Sequence, residues 1–282
     1  PPHSSAWGRG VGRDTVIATA ITGPANGPLP TSSIPKTIFS FLCIKTIKMY
    51  NNLIITFFMV SEKDIFNQSD IEEELRLASL QGREANFEDK IISSLILRKR
   101  VVESGINLKN AIIMHVISLE ETTIKGTIDL TGAVVKESFY AGSAVIEGDL
   151  ILVDSKISGV LNLISTTIKG SLNGTNMIIS GFLSLARSQI RNDVILRKTK
   201  INDAYHVGLI VKGDVYMRDA MITGSFDAQE AIIEGSLDMM NSYVANTVNL
   251  KSAQVEGSLI TKNANFKSGV DTTGLKSKEV IE

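Results

Sequence analysis

The chain has 282 residues, 43% hydrophobic and 21% charged, with a formal net charge of −1. That composition can build a core and excludes generic disorder, and the near-neutral balance argues against both a dedicated nucleic-acid binder and an acidic nucleic-acid mimic. A single cysteine, Cys43, excludes an internal disulfide framework and a cysteine-based zinc site.

Residues 1–62 read as a disordered or non-native leader. Pro1–Gly10 is followed by a Gly/Pro/Thr-rich stretch to Pro35 with no sustained period, and a start at Met49 or Met59 is expected. The best apolar run, Leu53–Val60, is well short of the ~20 residues that a membrane-spanning helix needs. A cytoplasmic location is therefore expected, with peripheral contact as the form of any membrane association.

Residues 66–101 read as a helical cap. Ser69-Asp-Ile-Glu72 has capping-box form, Ile71, Leu75 and Ala78 share one face, and Gly82 stops the helix. A second helix is expected from Asn86 to about Arg100, with Phe87, Ile91, Ile92 and Leu95 as its stripe. Glu88 and Asp89 lie at its start and Arg98, Lys99 and Arg100 at its end, which suits the helix dipole.

Residues 102–272 carry a repeat of eleven residues. The anchor, position 0, falls at 102, 113, 124, 135, 146, 157, 168, 179, 190 and 201, and resumes after a shortened unit at 211, 222, 233, 244, 255 and 266. Position −2 is small, as in Ala133, Ala144, Ser155, Thr166 and Ser188. Positions +4 and +6 are apolar, and polar residues alternate with them, which argues strand and not helix. Position +2 is Gly at 126, 148, 159, 170, 181, 213, 224, 235 and 257, and Asn at 192 and 246. Gly and Asn tolerate positive φ, so +2 reads as a left-handed corner, with a second corner near +7 and +8. Residues 273–282 read as a tail.

A fixed short period means a solenoid. One unit per turn leaves little room inside, so two units per turn are expected: an all-β, four-sided parallel β-helix of seven or eight turns. Right-handed crossover is the expectation. The helices would cover the first open strand edge.

The pattern small-x-Ile-x-Gly-x-Leu-x-Leu resembles the pentapeptide-repeat superfamily, although each pair of faces takes eleven residues and not ten. It is more similar to bacterial β-helical proteins often labelled membrane-associated oxidoreductases. Lys90–Leu97 resembles their helical lead-in and Gly105–Ala111 their first turn. The resemblance implies a β-helix. The oxidoreductase label finds no support in the residues: there is no nucleotide-binding glycine loop, no flavin signature and no cysteine pair. No cofactor is expected.

Candidate chemistry is sparse. His115 sits at a +2 corner, where Glu137 also replaces Gly. The shortened unit 201–210 is the irregular place in the stack, and Asp203, Tyr205 and His206 there are candidates for a binding surface. Arg187, Arg191, Arg197, Lys198 and Lys200 form a basic cluster suited to an acidic partner, phosphate or anionic lipid. The reading is a non-enzymatic scaffold or protein-interaction module with an unidentified protein partner. The alternatives are a self-assembling structural protein of bactofilin-like type, a homo-oligomer through its turn ends, and, ranked lower, an enzyme with its site at 201–210.

Overall fold

The computed structural model describes residues 43–50, 53–59 and 65–282. Cys43–Tyr50 (β1) and Leu53–Met59 (β2) pair antiparallel, an element absent from the reading of a leader. The rest of residues 1–62 lies outside the described residues, as does His3. Phe66–Glu282 is a compact unit in its own right.

That unit is a parallel β-solenoid of about 10 turns preceded by a single helix. Thr123–Ile124 pairs in register with Val101–Val102 and Val145–Ile146. Ile128–Asp129 pairs with Leu150–Ile151, Val134–Val135 with Lys156–Ile157, and Phe139–Tyr140 with Leu161–Asn162. Each partner is one turn away and two repeat units on, as the side-chain volume argument requires. Every regular turn therefore carries four two-residue strands, at −1/0 and +4/+5 of each unit. At ~4.8 Å per turn the stack is roughly 48 Å long.

The helix α1 spans Gln68–Gln81. Its N-cap is Asn67 and not Ser69: Asn67 Oδ1 accepts from the Ser69 and Asp70 amides, and Asp70 Oδ2 accepts from the Asn67 amide at 2.9 Å. Gly82 ends it at φ 63° and ψ 31°. Ile71, Leu75 and Ala78 are buried in the same continuous core that runs to Leu259. Gln68 Nε2 donates to the Ile96 carbonyl at 3.1 Å, and Glu72 grips Arg100 through two bonds of 2.6 and 2.8 Å. The helix thus covers the start of the stack.

The expected second helix is not one. Residues 86–100 are strands and turns: Ala85–Asn86, Ile91–Ile92 and Leu95–Ile96 pair with Ile106–Asn107, Ile112–Ile113 and Ile117–Ser118. Asp89 and Lys99 have φ of 61° and 56°, which breaks any helix through them. Residues 273–282 are not a tail either; Lys276–Ile281 pairs with the strand Gln254–Ile260 and completes a turn. These additions at both ends account for the larger number of turns.

Of the two expected corners, the one near +8 is left-handed and the one at +2 is not. Positive φ falls at +8 in unit after unit, at Asn110, Gly132, Asp154, Asn176, Asp219 and Asn241, and not at the +2 glycines. His115, Asn192 and Asn246 likewise lack it. Position +2 is a shallow bend, shallow enough that Ile178–Ser184 and Gln254–Ile260 run through it as single strands. Glycine is needed there because adjacent turns approach closely. A Cβ on Gly170 would lie 2.7 Å from the Gly148 carbonyl oxygen, and one on Gly181 would lie 2.6 Å from that of Gly159. The space a Cβ would fill is used by the +3 side chain of the preceding turn. Asp149 Oδ1 accepts from the Ser171 amide at 2.7 Å, Asp193 Oδ1 from the Asp214 amide at 2.8 Å, and Asp214 Oδ1 from the Ser236 amide at 2.6 Å. Buried hydroxyls at −2 do similar work inside, as where Thr166 Oγ1 donates to the Ala141 carbonyl at 2.7 Å.

Candidate functional site

The irregular unit comes first. Lys200–Tyr205 forms one strand in which Ala204 takes the inward place one residue early. The shortening turns His206 into the core at the position that Leu185 and Leu250 fill in other turns. His206 is 1% exposed, and its ring meets Phe226 edge-on at 5.3 Å. Neither ring nitrogen has a hydrogen-bond partner. Burial pulls its pKa down to about 4, opposed weakly by the nearby Tyr205 backbone. His206 therefore belongs to no binding surface.

Asp203 is committed to the backbone. Its Oδ1 accepts from the Ser225 amide at 2.7 Å and its Oδ2 from Asn202 Nδ2 at 3.0 Å. Tyr205 is exposed and packs edge-on against Phe182 at 5.8 Å between ring centres. Asp203 and Tyr205 flank inward Ala204 on the outer face of the strand, while His206 is turned into the core, so the three form no shared site. His115 Nδ1 lies 3.0 Å from Glu137 Oε1 on an exposed corner.

The basic cluster is split by the turn geometry. Arg187 stands at a +8 corner with φ 57°, between the second strand of one unit and the first of the next. Arg191 occupies a +1 column, at the bend that follows the strand Gln189–Ile190. Register places it between Lys169 and Lys212, and both of these turn away from it to Glu147 and Glu234, at 2.7 and 3.1 Å. Arg197, Lys198 and Lys200 do share a ridge, where the +7/+8 corner meets the following strand.

Register adds a residue that linear reading misses. Ile195 pairs with Tyr216, so Arg218 is the neighbour of Arg197 in the next turn. The Arg197 guanidinium lies 4.6 Å from the centre of the Tyr216 ring. The Tyr216 hydroxyl donates to Asp214 Oδ2 at 2.6 Å, and that bond, with burial behind it, raises the phenol's pKa. Arg218 Nε bonds Asp238, which is 2% exposed. The signal was available: 197 and 218 share position +7 two units apart.

A cleft of about 500 Å³ lies where α1 meets the first turn, lined by Glu74, Arg83, Glu84, Asn86 and Asn107. Glu74 there pairs with Arg83 and accepts the Asn86 amide at 2.7 Å, and these bonds hold its carboxyl below the usual range, Arg83 first. Among the described residues no group of His, Cys, Asp and Glu is placed to hold a metal ion. No helix among them is long and apolar enough to cross a membrane.

No protein-family model matches the chain, and neither curated proteins nor solved structures give a match.

Proposed function

We propose that this chain is a non-enzymatic β-helical scaffold that engages a protein partner along its side. The observation that carries this reading is how the carboxylates are used. Asp149, Asp193, Asp203 and Asp214, all at or beside the +2 bend, each hold a backbone amide of the following turn. A carboxylate fixed in that way is a structural strut. The surface left over is a set of regular columns, suited to recognition along a line. The pentapeptide-repeat-like affinity remains part of this proposal, resting on the residue pattern alone.

Affinity capture on the immobilised full chain tests it. Saturable retention of a defined protein, with no turnover of that protein, supports the reading. A specific small substrate consumed by the purified chain would sink it.

Self-association is the second reading, and the final turn favours it. Val270, Val280 and Ile281 are exposed there, and Phe266 and Leu275 are only partly buried. These exposed apolar side chains suit a contact between two copies through this turn. Light scattering across a concentration range separates a dimer from a growing polymer.

A further inference from the structure

We propose that the ridge of Arg197, Lys198, Lys200 and Arg218 docks an acidic segment of the partner protein through its carboxylates. This rests on the interaction-module reading above.

The fold does not ask for cations here. At the same three positions one turn earlier stand Thr175, Asn176 and Ile178, and one turn after Arg218 stand Met240, Asn241 and Tyr243. Those turns close with the same backbone bonds. Lys156 and Lys262 stand in the same columns two turns away on either side, so positive charge on this corner is densest, with four cations in two adjacent turns, at Arg197, Lys198, Lys200 and Arg218.

Lys198 stands at a position better suited to other residues. At the other +8 positions of this ridge stand Asp89, Asn110, Gly132, Asp154, Asn176, Asp219, Asn241 and Asn263. All have positive φ, and Lys198 shares it at 56°. Asn, Asp and Gly accept that conformation most readily. They also form a side-chain ladder: Asn176 Nδ2 donates to Asp154 Oδ1 at 3.0 Å, Asn241 Nδ2 to Asp219 Oδ1 at 3.1 Å, and Asn263 Nδ2 to Asn241 Oδ1 at 3.3 Å. Lys198 interrupts this ladder between Asn176 and Asp219. Lys99, Glu121, Arg187 and Glu230 hold the same φ on the opposite corner, so what sets Lys198 apart is the interrupted ladder, a lost side-chain bond on a ridge otherwise built of Asn, Asp and Gly.

The two arginines are prepared for binding. Arg197 is held over Tyr216 and Arg218 against buried Asp238, and both side chains remain exposed on adjacent turns, whose backbones are about 4.8 Å apart. Guanidinium groups match carboxylates in shape. The nearby acids are Asp214 and Asp193 beside Tyr216, each holding a backbone amide of the following turn, Asp219 on the turn next to Lys198, and Asp238, already engaged by Arg218. Arg197, Lys198 and Lys200 form no ion pair among the described residues. Met221, 44% exposed, is the register partner of Lys200 and adds an apolar contact. A short patch of mixed cationic and apolar character fits a peptide segment better than a lipid surface, which would favour a broad basic face.

The test uses the full chain and two variants, K198N and R197Q/K198N. Fluorescein-labelled octaglutamate is titrated by anisotropy at low and high salt, and phosphatidylserine vesicles are co-sedimented in parallel. The expected result is salt-sensitive peptide binding that weakens about tenfold in the double variant, while K198N melts no lower than the parent because the ladder is restored. Equal affinity for the peptide in all three proteins overturns the proposal. So does binding to the vesicles without binding to the peptide. Capture of the partner on immobilised parent and double variant separates the two levels. Equal retention by both overturns the ridge but leaves the interaction module standing; retention by neither overturns both.

Discussion

His206 provides a measurable link between pH and the stability of the stack. The ring is buried, unpartnered and held neutral, with its pKa pulled from 6.5 to about 4. Between those values the unfolded chain binds a proton that the folded chain refuses. Stability is therefore full above about pH 6.5 and falls as pH drops toward 4. The loss is about 3 kcal/mol, taken as 1.36 kcal/mol per pH unit over that interval. Replacing His206 with Leu, the residue its column carries at 185 and 250, removes both the titration and the unsatisfied nitrogens. H206L should be more stable by about 1–3 kcal/mol at pH 7.5. The gap between parent and variant should then widen by about 3 kcal/mol at pH 4. Urea denaturation of both proteins at pH 7.5, 6, 5 and 4 reads this directly, because other titrating groups are common to both and cancel. A difference that stays constant across the four pH values would refute the reasoning.

Further outcomes follow from the packing. G170A should lose about 2 kcal/mol or more by urea midpoint, because the new Cβ meets the Gly148 backbone as well as Asp149. N67A should cost about 1 kcal/mol and speed amide exchange in the first turn of α1; unchanged exchange there would remove Asn67 from its capping role. Bonding to Arg100 holds the carboxyl of Glu72 below its ordinary range, so this contribution is present above about pH 4.5 and is lost as pH falls through the depressed value. With both side chains roughly 40% exposed, E72Q should cost at most about 1 kcal/mol, with the difference shrinking in high salt.

The parallel solenoid and its two units per turn were legible because period-two alternation and an eleven-residue spacing survive in almost every unit. Residues 86–100 were not, because Ile92 and Val102 are only ten apart and Phe87, Ile91 and Leu95 mimic one face of a helix. At +2 the sequence shows that a side chain is excluded, and only the stack shows that the neighbouring turn, not the local φ, excludes it. The basic cluster looked single because it is close in sequence. Around a turn, however, a few residues move a side chain to another corner, so Arg187 and Arg191 part from Arg197 while distant Arg218 joins it. The inward place of His206 is hidden in the sequence because a shortened unit moves the side chains after it by one place, and the pleat converts that step into a reversal from outside to inside.

The two-unit turn also restricts how this architecture can change length. Removing a whole turn, as in deletion of residues 145–166, returns every later residue to its own column: Glu103 and Lys125 would next meet Lys169, and both sheets keep their partners. Removing a single repeat, such as 145–155, leaves an equally regular pattern of apolar and small residues, yet rotates everything downstream by half a turn. The Arg197–Lys198 ridge would then lie on the opposite side of the rod from its present position relative to α1. Chain growth by single repeats is thus nearly silent for folding and drastic for whatever reads the surface. Recognition along the side constrains insertions and deletions to whole turns where the hydrophobic core does not.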